Sequence, residues 1–213
     1  MSRLKERVLA AVAAEPAPTR AQARRSARIL LASAVLCSLT IFVLSGGVRP
    51  TGRPDLLWAT TSVGAMAIAA AAMALALRRG PSMLGRPAAH LLAIALATPL
   101  ILVIWKAAVS AAFPGMTVPW PERPGFRCLS LAIATGIVPA AVFLTLWRGT
   151  SPAHPRLTGW VLGTAAGSFA WVLVDLWCPV GYLGHLLLGH VLPILLLAAL
   201  GAAAAGILGP RRA

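Results

Sequence analysis

The sequence predicts an all-α integral membrane protein, a bundle of six transmembrane helices with both termini in the cytoplasm. Composition is the first observation behind this prediction, since 59% of the 213 residues are hydrophobic and only 11% are charged. The mean hydropathy of +0.83 is the second, and it lies far above that of a water-soluble domain. Together these values exclude an ordinary soluble globular domain.

Six apolar runs are each long enough to cross a bilayer, for which a helix needs about 20 residues. They occupy residues 27–48, 56–77, 88–113, 128–147, 157–178 and 183–208. The loops between them are too short to fold as an aqueous domain. We therefore predict a cytoplasmic basic and amphipathic tail, a six-helix transmembrane domain and a cytoplasmic basic carboxyl terminus, at residues 1–26, 27–208 and 209–213.

The basic residues are distributed unevenly between the two sides of the predicted bundle. With the amino terminus inside, 14 of the 19 Lys and Arg residues fall on the inner side and 5 on the outer side. Because cytoplasmic segments carry the excess of Lys and Arg, this bias predicts both termini in the cytoplasm. Topology and contact with anionic lipid account for the net charge of +14, without direct binding to nucleic acid.

The amino-terminal tail carries a short amphipathic pattern before the first predicted helix. Leu4, Val8 and Val12 fall at helical spacing, with basic residues interleaved. A helix of about 13 residues is marginal alone and needs a partner or the membrane surface. These three residues are therefore the candidate contacts to a partner protein.

The second and third helices carry different signals. Gly64, with Ala67 and Ala71, allows the second helix to approach a neighbour closely. Lys106 lies near the outer end of the third helix, and two interpretations stay open. Its ammonium reaches the membrane interface, or it forms a structural ion pair with Asp175 in the same leaflet.

Two further stretches are predicted to have structural roles. The outer loop at 113–127 holds four prolines, which exclude a helix and favour a stiff extended lid. The fifth helix repeats Gly159, Gly163 and Gly167 at a spacing of four, a pattern typical of a face that packs against another helix.

Ionisable side chains cluster where the fifth helix ends and the sixth begins. Asp175 and Cys178 are three residues apart, hence on one helical face, and the turn after them can bring His185 close. His190 lies about 140° round the helix from His185, which makes a shared set of ligands less expected. A carboxylate, a thiolate and imidazoles suit zinc or another thiophilic ion, so all four are candidate metal ligands.

The same residue types also allow a structural interpretation. Cys178 would then be an interfacial thiol, Asp175 would pair with Lys106 or Arg127, and the histidines would form hydrogen bonds between helices. The residues alone leave both interpretations open.

The three cysteines match no zinc-finger or Cys-x-x-Cys spacing. Cys128 opens the fourth predicted helix and Cys178 closes the fifth, so both fall at the outer face, whereas Cys37 is expected to be a small packing residue. In a bacterium that face is the oxidising periplasm, where two nearby thiols can pair. Asp175 near Cys178 and Arg127 beside Cys128 predict that Cys128 is the more readily ionised thiol.

The segments around Cys128 and Cys178 resemble the NrsF family. The resemblance lies in Arg-Pro-Gly-Phe-Arg-Cys at 123–128, Asp-Leu-Trp-Cys-Pro at 175–179 and Leu-Leu-Leu-Gly-His-Val-Leu-Pro at 186–193, on a six-helix chain of this length. NrsF proteins are negative regulators of sigma factor F, membrane anti-sigma factors of bacteria.

The resemblance implies a multi-pass protein of the bacterial inner membrane that sequesters an extracytoplasmic-function sigma factor and is not an enzyme. It also implies that Cys128 and Cys178 sense a periplasmic redox or heavy-metal signal, with no cofactor required beyond a transiently bound heavy-metal ion. The expected partners are the sigma factor and the lipid bilayer. The alternative of a different class is a small metal-handling or redox membrane enzyme or transporter that uses Asp175, Cys178 and His185. Against an enzyme stands the lack of a nucleophile paired with a base.

Overall fold

The structure, a computed structural model, describes residues 19–48, 55–77, 86–112, 124–147 and 153–208. The predicted partner contacts Leu4, Val8 and Val12 lie outside these residues, as does most of the loop at 113–127. Within the described ranges all regular secondary structure is helical.

Six helices make up the described part of the chain, and each is long and apolar enough to cross a membrane. They are α1 (Arg20–Leu44), α2 (Asp55–Leu77), α3 (Ala88–Ala112), α4 (Phe126–Trp147), α5 (Pro155–Trp177) and α6 (Leu183–Leu208). The predicted all-α class with six candidate spanning helices is confirmed. The side of the membrane on which the termini lie remains a prediction.

Helix α1 differs from its predicted run at both ends. It starts well before the first predicted apolar residue because Thr19 forms a capping box. The Thr19 hydroxyl accepts a hydrogen bond from the Gln22 N–H, and the Gln22 side chain accepts one from the Thr19 N–H. At the other end Gly46 and Gly47 adopt φ values of 113° and 56°, which favour glycine and terminate the helix before the predicted boundary.

Helix α5 is the centre of the bundle. It packs against α2, α3, α4 and α6, whereas α1 packs chiefly on α4 and α3 lies against α2 and α5. In the apolar window of α5 78% of the residues are buried, against 17% in that of α1. Large apolar side chains such as Leu36, Val63 and Leu96 are exposed on the outer helices, as expected of surfaces that face lipid.

Close contact between α5 and α6 depends on the predicted glycine repeat. A Cβ atom on Gly159 would lie 2.2 Å from the carbonyl oxygen of Gly201, and one on Gly163 would lie 2.2 Å from that of Leu197. A Cβ atom on Gly167 would approach the α6 backbone at 2.7 Å. No real Cβ contact is that short, so the predicted packing face of α5 is confirmed.

Candidate functional site

Four metal-ligating side chains meet at one end of the bundle. Cys128 lies in the first turn of α4, Cys178 directly follows α5, and His185 and His190 belong to the first turns of α6. Their sulfur and ring nitrogen atoms all lie within 4.8 Å of one another. All four side chains are buried, at 3% exposure or less. Three separate helices therefore contribute to one enclosed cluster, which we call the thiol–imidazole cluster.

His185 stands between the two thiols. Its Nε2 atom lies 3.1 Å from Sγ of Cys178 and 3.5 Å from Sγ of Cys128. The ring of Tyr182 contacts the His185 ring edge-on, with 5.8 Å between centroids. One imidazole nitrogen is thus within hydrogen-bonding reach of both sulfur atoms.

A π-helical segment brings His190 to the same place as His185. Residues Leu187–Val191 form this segment, and the N–H of Leu192 donates to the carbonyl of Leu187, five residues earlier. In that geometry residues five apart lie nearly above one another, and the two histidine rings are 5.5 Å apart between centroids. The expectation that His190 points away from His185 is wrong, because it assumed a regular α-helix.

His190 has unused bonding capacity. Neither ring nitrogen forms a hydrogen bond of normal geometry with any described residue, although the side chain is only 1% exposed and lies beside the Cys178 thiol. Its ring instead packs edge-on against Trp171, with 4.9 Å between centroids. A buried polar group without a hydrogen bond costs about 1–3 kcal/mol, and such a group in a native protein calls for an explanation.

Two glycines allow α6 to come so close to the start of α4. Gly125 has a φ of 100°, a left-handed conformation, and a Cβ atom there would lie 3.1 Å from the backbone nitrogen of Gly189. A Cβ atom on Gly189 would lie 3.0 Å from Cβ of Cys128. Neither glycine is among the residues predicted from the sequence, although Gly189 directly precedes the candidate ligand His190 and Gly125 precedes Cys128 by three positions.

Asp175 does not belong to the cluster, which corrects its prediction as a metal ligand. Its Oδ1 atom forms an ion pair with Nζ of Lys106, and its Oδ2 atom accepts a hydrogen bond of 3.3 Å from Ser62. Helical spacing alone does not decide this, because Lys106 on α3 and Ser62 on α2 engage both carboxylate oxygens. The structure thus pairs Lys106 with Asp175, and Cys128 takes the place expected for the carboxylate.

The charges around Cys178 also differ from expectation. This thiol lies one residue beyond α5, outside the spanning helices. Hydrogen bonds with Cys128 and then with His185 hold the pKa of the Cys178 thiol well below its usual range, although burial opposes them. Cys178, rather than Cys128, is therefore the thiol that the cluster favours as a thiolate. Asp175, which the sequence predicts to disfavour this thiolate, is paired with Lys106 instead.

The third cysteine is separate from the cluster. Cys37 is exposed on α1, on the outer surface of the bundle, so it does not pack between helices as expected. His90 is likewise exposed, near the start of α3. These two residues provide matched controls for substitutions in the cluster.

Comparison with known protein families identifies the chain as similar to one of them. A family model described as NrsF, negative regulator of sigma F, matches residues 9–209, nearly the whole chain. No curated protein and no solved structure matches this chain.

Proposed function

The chain belongs to the NrsF family of negative regulators of sigma F, and we propose that it holds an extracytoplasmic-function sigma factor at the bacterial inner membrane. A periplasmic redox or heavy-metal signal, sensed by Cys128 and Cys178, releases that sigma factor. The observation that carries this proposal is the position of two buried thiols on either side of one imidazole nitrogen, at 3.5 and 3.1 Å.

The orientation of the chain supports a sensor on the outer side. The excess of Lys and Arg at one set of helix ends favours both termini in the cytoplasm. Cys128 opens α4 and Cys178 follows α5, so both belong to the opposite end of the bundle. In that orientation the thiol–imidazole cluster lies next to the periplasm, where oxidants and metal ions arrive first.

The thiol pair suits two-electron oxidation by a hydroperoxide. His185 takes the proton of Cys178, and the Cys178 thiolate attacks the terminal oxygen of the hydroperoxide. The O–O bond breaks, Cys178 becomes a sulfenic acid, and the leaving oxygen receives the proton from His185 and departs as water or alcohol. The sulfur of Cys128 then displaces the hydroxyl of the sulfenic acid, which leaves as water with the proton that Cys128 gives up through His185, and the disulfide forms. The two sulfur atoms start within 4.8 Å of each other, so a small movement of α4 against α5 completes the bond.

Serine substitutions test the sensing role of the thiol pair. We expect Cys128→Ser, Cys178→Ser and the double variant to repress sigma-dependent transcription in unstressed cells, because serine is nearly isosteric. Under oxidant their transcription should stay at the uninduced level, since no disulfide can form. The measurement is a sigma-dependent reporter with and without hydroperoxide, and Cys37→Ser is the control that should respond fully. A double variant that responds like the unmodified protein would assign the signal to another part of the chain.

The sigma factor itself is proposed to contact the amino-terminal tail. Leu4, Val8 and Val12 form one apolar stripe, and the basic residues beside it suit an acidic partner surface. An amphipathic segment that is marginal alone gains its stability from such a partner.

Deletion of residues 2–18 should therefore abolish capture of the sigma factor while membrane insertion continues, because the six apolar runs remain. Co-purification of the sigma factor with the detergent-solubilised chain measures the first effect, and membrane fractionation measures the second. Replacing Leu4, Val8 and Val12 together by Ser is the milder variant and should also reduce capture. Undiminished capture by both variants would move the contact to the inner loops.

The enzyme or transporter alternative loses one of its three residues. Asp175 is paired with Lys106 and hydrogen-bonded to Ser62, so it is not available to Cys178 and His185 as a base or ligand.

A further inference from the structure

We propose that Cys128, Cys178, His185 and His190 form a four-coordinate site for a divalent thiophilic ion, zinc or cadmium. This inference deepens the proposed function, because it identifies two imidazoles as ligands in addition to the two thiols. It assigns His190 a role that a disulfide sensor does not need.

The distances within the cluster suit tetrahedral coordination. Bond lengths of about 2.0–2.3 Å at tetrahedral angles place neighbouring ligand atoms about 3.3–3.8 Å apart. Nε2 of His185 lies 3.5 Å from Sγ of Cys128 and 3.1 Å from Sγ of Cys178, close to those separations. The four ligand atoms are within 4.8 Å of one another, so about 1 Å of contraction brings the most distant pair into range.

Charge balance selects a divalent ion. Two thiolates, two neutral imidazoles and one divalent cation have a net charge of zero, which suits a site where every ligand is at least 97% buried. A monovalent ion such as Cu⁺ would leave one uncompensated negative charge there. Asp175 adds no further net negative charge, because Lys106 is its ion-pair partner. Two sulfur and two nitrogen ligands favour tetrahedral zinc or cadmium over ions that prefer square-planar or oxygen-rich sites.

The state of His190 is a second, independent observation. Both of its nitrogens lack hydrogen bonds of normal geometry within the described residues, and its ring faces that of His185 across 5.5 Å. Coordination of one nitrogen would remove part of that deficit. The π-helical segment Leu187–Val191 is what turns His190 into the cluster, and such segments often occur at functional sites.

The bound ion would connect three helices, whereas a disulfide connects two. Cys128 belongs to α4, Cys178 follows α5, and both histidines belong to α6. Binding of the ion therefore requires all four side chains, whereas formation of the disulfide by an oxidant requires only the two thiols. This difference separates the present inference from the sensing function on which it builds.

Metal binding can be measured on the purified full-length chain in detergent micelles, without the sigma factor. We expect one Cd²⁺ per chain with a thiolate-to-cadmium charge-transfer band, and loss of that band in Cys128→Ser and Cys178→Ser. His185→Asn and His190→Asn should each weaken Cd²⁺ binding by at least about 10-fold. Competition with Zn²⁺ then tells whether zinc occupies the same site. Cys37→Ser and His90→Asn are the matched controls and should bind as the unmodified chain does.

Two outcomes would overturn the inference. One is that His185→Asn and His190→Asn bind Cd²⁺ with unchanged affinity, which would show that only the two thiols are ligands. The other is equal loss in the Cys37 or His90 control, which would indicate adventitious binding. Mass spectrometry can detect whether His190→Asn still forms the Cys128–Cys178 disulfide. Formation of this disulfide shows that the variant folds. Failure of sigma capture by the unmodified chain would refute the proposed function and leave the metal measurement intact.

In cells His190→Asn should lose the transcriptional response to cadmium and keep the response to hydroperoxide. If His190→Asn kept both responses, the role of His190 as a ligand would be contradicted. The paired stresses thus distinguish the metal site from the thiol pair within one strain.

Discussion

Replacing Asp175 by Asn is expected to lower the free energy of unfolding by about 3–5 kcal/mol, because it leaves the Lys106 ammonium buried without its counter-ion. Both side chains are almost fully enclosed, at 3% and 0% exposure, and Ser62 holds the second carboxylate oxygen. The pair connects α3 with α5, and the bond from Ser62 adds α2, so loss of the carboxylate weakens the contacts of the central helix with two neighbours.

The double variant Lys106→Met with Asp175→Leu is the matched control. It removes both charges and fills the same space with apolar groups, so its stability should return to within about 1–2 kcal/mol of the unmodified chain. Unfolding by SDS in mixed micelles, followed through the fluorescence of the seven tryptophans, measures all three proteins. Equal stability of the single and double variants would show that water solvates the pair and that Asp175 does not compensate a buried ammonium.

Gly163→Ala should separate α5 from α6 and cost about 1–3 kcal/mol or more. The new Cβ atom would lie 2.2 Å from the carbonyl oxygen of Leu197 and 2.6 Å from Cα of Ala198. Both are backbone atoms, so no side-chain rotation can relieve the contact. The same displacement would move His185 and His190 relative to α4 and weaken Cd²⁺ binding.

Gly206→Ala is the control for this substitution. It also lies in α6, but its new Cβ atom would meet only the flexible side chain of Arg156, with the nearest atom at 3.1 Å. Because Ala favours a helix over Gly by up to about 1 kcal/mol, this variant should be as stable as the unmodified chain or slightly more so. The comparison is made by the same SDS titration. Equal destabilisation by both substitutions would show that helix propensity, not close packing, determines the result.

The sequence was sufficient for the helices and only partly for the cluster. An apolar run of about 20 residues identifies a spanning helix whatever its neighbours in the bundle are. The sequence therefore predicts all six helices, with small errors at their ends. Cys178 and His185 were predicted as neighbours because a short turn joins their helices. The remaining members depended on features that spacing does not contain, namely the engagement of Asp175 by Lys106 and Ser62 and the π-helical segment that turns His190 inward.

Residue periodicity does not anticipate the π-helical segment, because this segment changes the face on which His190 lies. Pro193 is the nearest signal for it in the sequence, because proline has no N–H to donate to the carbonyl of Gly189 and interrupts the regular ladder there. The approach of Gly125 to Gly189 joins residues far apart in the sequence, which only the packed structure reveals.

The capping box at Thr19 determines how far α1 extends beyond the apolar run. The helix begins seven residues before the run predicted at 27–48, and at 1.5 Å per residue this adds a rod of about 10 Å. Arg24 and Arg25 are exposed along it, and basic side chains next to a spanning segment suit anionic lipid headgroups. A partner bound to the preceding tail would therefore be held on a stiff spacer of fixed length, and movement of α1 against α4 would be transmitted to it as a tilt rather than absorbed by a loose tether.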